Sequence, residues 1–320
     1  MTDALTLAQA AALPTPELAE RIAQAVHDPA GADASNTVKT YAAALRDVAR
    51  WAAEAAVPSL PMAARDLARY VDDRAAAGRA PATVSLYVTA VGRAHRDVGL
   101  PSPADDRVVK LALRRMRRQA AEGGHRQRQA VPMRVEHIDA ALAGLGDSLG
   151  DLRDAALVTL AFDTLLRSAE LVALRAGDVQ PQGRDAIVRV GKTKTDQDAS
   201  RGDVRFVSRA TYARVARWIA AAGLAPDAPL FPSLSRRGQG DRMAPRDVAR
   251  VFDRRMPGHG FTGHSSRVGA AVSQREAGIP TGLIAQAGAW ASDAMVSRYT
   301  RAIDAQESGA AILARRQGRS

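Results

Sequence analysis

The chain has 320 residues, no cysteine and a formal net charge of +11, which excludes a disulfide framework and a thiolate zinc site. At that length two domains are expected, and 46% hydrophobic residues give each enough apolar surface for its own core. Before residue 130 there are 18 Lys and Arg against 14 Asp and Glu, and after it 27 against 20, so both halves are basic and suit a long polyanion held between them.

The absence of cysteine points to a reducing compartment, although it is also compatible with export. No run approaches the roughly 18 apolar residues of a membrane span. The start, MTDALTLAQAAALPTPELAE, carries acidic residues where a signal peptide would be basic, so the sequence reads as cytoplasmic.

A loosely defined first helix is expected around residues 15 to 27. Ser35 or Asn36 can cap the next, through TVKTYAAALRDVARWAAEAA. Pro61 opens one through MAARDLARYVDDRAAAG, stopped by Gly78. Pro81 begins ATVSLYVTAVGRAHRDVG, and a last helix near DDRVVKLALRRMRRQAAEG ends at Gly123 and Gly124. Residues 1 to 123 thus read as an all-helical domain. Residues 124 to 130 are polar, basic and without periodicity, as an exposed linker would be.

Residues 131 to 320 read as mostly helical with one small sheet. Helices are expected near 135 to 145 and 151 to 165, then one carrying Arg167. AIVRV (186–190) and DVRFVS (203–208) form a hairpin with the long polar tip GKTKTDQDASRG. Further helices follow near 209–222, 244–255, 264–277, 280–288, 292–300 and 305–316.

The residues able to do chemistry fall in this second part. A guanidinium stays charged and presents a planar fork to phosphate oxygens. Arg167 stands in the otherwise apolar LAFDTLLRSAELVAL, where a helix would bury it unless an anion paired with it. Glu170, one turn on, is that partner, or the two make an ordinary ion pair on a helix. His264 and Arg267 are three apart at a helix start after Gly260 and Gly263, which puts both on one face near an end that favours phosphate. Ser265 and Ser266 assist or simply cap.

Only Lys39, Lys110, Lys192 and Lys194 stand against 41 arginines, yet two of the four occupy one hairpin tip. An ammonium can surrender a proton where a guanidinium cannot, so Lys194 is a candidate general acid; the alternative is a solvated turn lysine. Tyr299, near a helix end between Arg298 and Arg301, is a candidate nucleophile whose phenolate those cations would favour, or a ring packed on an amphipathic helix. Trp290 offers an indole donor or a core side chain.

In this order, LLRSAEL with LRAGDV, VGKTKT, GHSSRVGAA and QAGAW with its nine-residue step to Tyr299 resemble the tyrosine recombinase (phage integrase) family, especially its Cre-type branch, from about residue 35 to the end. The resemblance implies an N-terminal helical, SAM-like core-binding bundle and a C-terminal, mostly helical catalytic domain, which clamp DNA as a C shape. It makes Tyr299 the nucleophile of a 3′-phosphotyrosine intermediate and Lys194, rather than Lys192, the general acid. Arg167 and Arg267 would bind the scissile phosphate, His264 would assist proton transfer, and Glu170 would support the site. Trp290 would contact the same phosphate, where many relatives have His.

The resemblance also implies double-stranded DNA with inverted-repeat sites as partner, a homotetramer on two sites, and strand exchange through a Holliday junction. A terminal helix would dock on a neighbour through Ile312 and Leu313, and no ATP or metal would be needed. By position in the resemblance, Lys39, Thr83 and Ser85 would face the major groove, and Arg246 would reach base edges, where arginine can pair with guanine. A type IB topoisomerase would share the chemistry, and an architectural DNA-binding protein would share the clamp. The helical first domain and the docking tail favour recombination.

Overall fold

The computed structural model describes residues 35–125, 129–191, 202–235 and 238–319. They fall into two compact units, divided between Gln127 and Arg128. The first helix expected at 15 to 27 and the hairpin tip with Lys192 and Lys194 lie outside the described residues.

The first unit comprises α1 (Ser35–Glu54), α2 (Ala64–Ala76), α3 (Pro81–Asp97), a 3-10 turn (Pro103–Asp105) and α4 (Arg107–Glu122). Pro81 supplies a first helical residue that needs no N–H partner. The Asp106 side chain caps α4 by accepting from the Val108 N–H at 2.8 Å. Apolar residues recur at helical spacing, as at Val84, Val88 and Val91 or Val109, Ala112 and Met116, and meet Trp51, Leu67 and Tyr70 in one core. The polar ends of the large rings are satisfied: Trp51 Nε1 donates to Asp73 at 2.8 Å and the Tyr70 hydroxyl to Asp47 at 2.8 Å.

α2 begins at Ala64, three residues later than Pro61 suggested. Just before it, the Met62 N–H donates to Nε2 of the buried His95 at 2.9 Å, while His95 Nδ1 donates to the Val91 carbonyl at 2.8 Å. With one nitrogen accepting and the other donating, His95 must be neutral, and burial holds its pKa below the ordinary histidine value.

The second unit is arranged round α6 (Leu149–Thr164), whose Leu152, Ala156, Leu157, Val158, Leu160 and Ala161 are all buried, so that the helix is enclosed on every side. α5 (Val135–Ala143) and α8 (Arg209–Ala222) pack on it, the latter through Val215 and Trp218. After α6 come α7 (Ser168–Ala173) and an antiparallel sheet in the order β1 (Val179–Gln182), β2 (Asp185–Val190), β3 (Asp203–Val207), with Val188 opposite both Val179 and Arg205. A second hairpin joins β4 (Pro232–Ser235) to β5 (Gly238–Arg242). The chain ends with α9 (Pro245–Arg255), α10 (Ser265–Glu276), α11 (Thr281–Ala287), α12 (Asp293–Gln306) and α13 (Gly309–Arg316).

In the second turn of α6, Asp154 has no exposed surface and accepts from Arg153, Arg254 and Arg255, the last two at 2.7 Å. A buried carboxylate needs such partners, and these fasten the end of α9 to the start of α6.

Two expectations are corrected. Arg167 does not lie within a helix: α6 stops at Thr164, Leu165 turns left-handed, and Arg167 is the extended N-cap of α7. Tyr299 is not near a helix end, because α12 runs on to Gln306; its packed stripe of Val296 and Thr300 continues to the half-buried Ile303, with no breaker before Ser308. β1, β4 and β5 were not expected, since VQPQ and GQGDR carry neither alternation nor β-branched residues enough to mark strands.

His95 yields a pH prediction for the first unit. The folded state disfavours the imidazolium, so the unfolded chain binds more protons and stability is lost as pH falls through about 6.5, the ordinary histidine value. Thermal melts at pH 7.5 and 5.5 should show this loss in the native protein, and His95→Gln should flatten the difference; an equal pH dependence in both would refute it.

Candidate active site

Arg267 lies in the first turn of α10 and is 4% exposed. Its Nη1 donates to the Leu165 carbonyl and its Nη2 to the Gly288 carbonyl at 2.6 Å. Those acceptors sit in two turns with unusual backbones. Leu165, the C-cap of α6, has φ 53° and ends that helix so that its carbonyl faces α10; Ala289, with φ 44°, follows Gly288 at the end of α11. A left-handed residue other than glycine costs about 1 kcal/mol or more, offset by the packing around each turn and by satisfaction of a buried cation. Burial, then the charge of Arg167, lowers the Arg267 pKa to about 10, so the guanidinium remains charged at neutral pH.

The Trp290 ring lies against the same guanidinium, whose central carbon is 4.1 Å from the ring centroid, a cation–π contact. Trp290 also meets the Tyr299 ring, centroids 5.9 Å apart and planes at 45°. Trp290 therefore touches both Arg267 and Tyr299. Gly288 makes room for it: a Cβ there would fall 2.2 Å from the indole.

Arg167 is oriented by Glu170, which is 7% exposed. Nη1 donates to Oε1 at 2.6 Å and the backbone N–H of Arg167 to Oε2 at 2.9 Å, so one carboxylate both fixes the guanidinium and caps α7. Ser168 donates to the Gly263 carbonyl at 3.0 Å, tying α7 to the loop before α10. His264, the N-cap of α10, is exposed. Loss of water on one side of its ring, then the charges of Arg267 and Arg167, hold its pKa below the ordinary value, which leaves a neutral imidazole at pH 7.

α12 is held against α10 beneath these groups. Thr300, fully buried, donates to Asp304 at 2.9 Å; Arg275 of α10 donates to Asp304 at 2.9 Å and pairs with Glu307. Val296 packs with Ala271, Ile284 and Ala285. Tyr299, half-buried, sits at the border of that stripe.

The structure thus gathers Arg167, Glu170, His264, Arg267, Trp290 and Tyr299; Lys194 lies outside the described residues. The candidate base readers are elsewhere. Lys39 is exposed on α1, Thr83 and Ser85 are half-buried on α3, and Arg246 is exposed in the first turn of α9. Ser85 Oγ accepts from Arg117 at 3.1 Å. Sequence reasoning missed the carbonyls of Leu165 and Gly288, which carry no side-chain signature, and Arg205. The latter is 7% exposed on β3, bound to Asp203 through both terminal nitrogens at 2.5 Å, and near enough to bear on Arg267. Among the described residues no three His, Cys, Asp or Glu side chains are grouped as a metal site would require.

Two paired cations, a buried arginine and a phenol on one surface can bind a phosphodiester, stabilise the extra charge of a five-coordinate phosphorus, and attack it. The role of Trp290 is open to test. Gly288→Ala should displace the indole and reproduce the phenotype of Trp290→Ala, with a loss of about 1 kcal/mol or more at Arg267; a native-like Gly288→Ala protein in both thermal melting and DNA cleavage would refute the packing role.

The Phage integrase family matches residues 124–306. The chain is 30% identical to the recombinase Cre of Escherichia phage P1 over 262 residues, 74% of this chain and 75% of Cre. It is 29% identical over 284 residues to an integrase/recombinase XerD homologue of Selenomonas ruminantium, 83% of this chain and 81% of the relative. Among solved structures, XerH site-specific recombinase bound to palindromic difH substrate in a post-cleavage complex aligns with a TM-score of 0.59 at 15% identity, over 86% of this chain and 78% of XerH. The Tn1549 transposon integrase in complex with circular intermediate DNA aligns with a TM-score of 0.58 at 15% identity, over 88% and 94%.

Proposed function

The chain belongs to the phage integrase family of tyrosine recombinases, and from that premise we propose that Tyr299 is the nucleophile that breaks its DNA. The protein is a site-specific recombinase, an enzyme of DNA cleavage and rejoining. The observation that carries the assignment of the site is the stack of Arg267, Trp290 and Tyr299, which brings a phenol beside a buried guanidinium.

In the proposed step the Tyr299 oxygen forms a bond to the scissile phosphorus while the bond to the 5′ oxygen breaks, leaving a 3′-phosphotyrosine. Arg167 and Arg267 stabilise the charge on the nonbridging oxygens. Their backs are bound to Glu170 and to two carbonyls, so their remaining N–H groups are directed without a search through rotamers. The neutral His264 can take up the phenol proton. Lys194, assigned from the resemblance, gives a proton to the departing 5′ oxygen. Rejoining reverses these transfers with a 5′ hydroxyl from the partner strand. The bond energy is kept in the phosphotyrosine, and the step draws on no nucleotide.

We assign the first unit, with Lys39, Thr83 and Ser85, and the exposed N-terminal turn of α9, with Arg246, to reading an inverted-repeat site. The exposed Ile312 and Leu313 on α13, 43% and 51% accessible, support docking on a neighbouring protomer in a tetramer on two sites. No helix among the described residues is long and apolar enough to cross a membrane. We assign the enzyme to the cytoplasm on the ground that its substrate is DNA.

Incubation with DNA flanking its own gene, without metal or ATP, should give a covalent protein–DNA adduct in denaturing gels. Tyr299→Phe should abolish the adduct while retaining salt-sensitive DNA binding; an undiminished adduct would remove Tyr299 from the mechanism. The pH dependence of adduct formation has a definite sign. Because the His264 pKa is depressed, its contribution should persist as pH falls to about 6.5 and decline only below that, and His264→Asn should remove this acid limb. An acid limb already present above pH 7, or unchanged in the variant, would exclude His264 as its source.

A further inference from the structure

Residues 129 to 134 lie immediately after the division between the two units, where an exposed linker needs no fixed contacts. In the structure they make several. The Met133 N–H donates to the Ser265 carbonyl at 3.0 Å, and Met133 is fully buried. A Cβ on Gly269 would stand 1.7 Å from the Met133 carbonyl oxygen, so the segment crosses α10 at a place that glycine alone leaves open. Arg134 pairs with Glu276 in the last turn of α10. At the other end, Gln129 Nε2 donates to the Arg298 carbonyl at 2.5 Å, across 169 positions of sequence. The segment is a strap laid over the helix of Arg267 and fastened to the helix of Tyr299, at the residue before the tyrosine.

On its packed side α12 is held by Val296 and Thr300, both buried, while Arg298 and Tyr299 are half-buried. The chain from Ala291 to Met295, which leads into and begins α12, is exposed, and the helix's apolar anchor is the small cluster around Val296. A carbonyl has two lone pairs, so the Arg298 oxygen can accept from Gln129 without giving up the helix. We propose that Gln129 is a positioning residue for Tyr299: its amide fixes the Arg298 peptide and so the direction in which the following phenol is presented, while the Met133–Gly269 crossing holds the strap in place. The proposal rests on Tyr299 as nucleophile.

The test uses the full chain and the gene-flanking DNA fragment that yields the adduct, prepared as a nicked duplex so that cleavage is trapped. Single-turnover cleavage at saturating DNA, DNA affinity and melting temperature are measured for Gln129→Ala, Gln129→Glu and Gln129→Arg. Loss of one hydrogen bond should slow cleavage by Gln129→Ala about five-fold, with affinity and melting temperature unchanged. Gln129→Glu, which lacks a donor, should be slowed at least as much, and Gln129→Arg, which keeps one, should stay close to native. A native cleavage rate in Gln129→Ala, a parallel fall in affinity or melting temperature, or failure of Gln129→Arg to restore the rate would each overturn the proposal. Tyr299→Phe is assayed alongside: an adduct that survives it defeats the nucleophile assignment instead, whereas an adduct lost with Tyr299→Phe but insensitive to Gln129 defeats only the strap.

Discussion

A guanidinium removed from water is the constraint around which the catalytic groups are arranged. Left unpartnered, buried charge is costly, and Arg267 avoids that cost with carbonyls from two separate turns and the face of an indole. Each partner fixes a different part of the fold. The Leu165 carbonyl requires α6 to end in a left-handed residue, which also places Arg167 at the start of α7. The Gly288 carbonyl requires the end of α11 to turn at Ala289, which delivers Trp290. Arg267, the proposed phosphate ligand, is therefore also the fastening that brings the ends of α6 and α11 together.

The other cations follow a related rule. Arg167 has Glu170 behind it and Arg205 has Asp203, so each charge is oriented by its own carboxylate, whereas Arg267 is bound by neutral acceptors only among its described hydrogen bonds. The local excess of positive charge falls on that one residue and, after burial, which is the larger cause, it lowers the pKa values of both Arg267 and His264. Under the proposed function a phosphate diester would supply the missing negative charge, so that substrate binding would relieve a repulsion built into the free enzyme.

Much of this was legible in the chain. Helices with strong periodicity and clear stops, such as α3 and α8, fall where Pro81, Ser208 and Gly223 place them, and the side chains of the site were identified by their chemistry and order. What could not be read is what tertiary packing decides. A leucine in the left-handed region has no local preference for it, so the break that moves Arg167 out of a helix interior is invisible in LLRSAEL. The two carbonyls on Arg267 belong to the backbone and have no residue type to betray them. The short strands β4 and β5 are made by pairing across a turn rather than by composition, with β5 exposed throughout. The role expected of Trp290, a contact to phosphate, gave no hint that its ring would pack against the Arg267 guanidinium.

The attachment of α9 through Asp154 bears on how the proposed DNA-reading turn of this helix can be varied. The helix is fixed at its C-terminal end by Arg254 and Arg255, while Pro245 and Arg246 at the other end are exposed. Orientation and surface chemistry are thus encoded by different residues of one element. A library that varies the first turn of α9 samples new surfaces on a helix whose axis is already set, and neither Asp154 nor the turn at Leu165 need change. That separation gives directed evolution a compact set of positions to search without trading away the integrity of the catalytic unit.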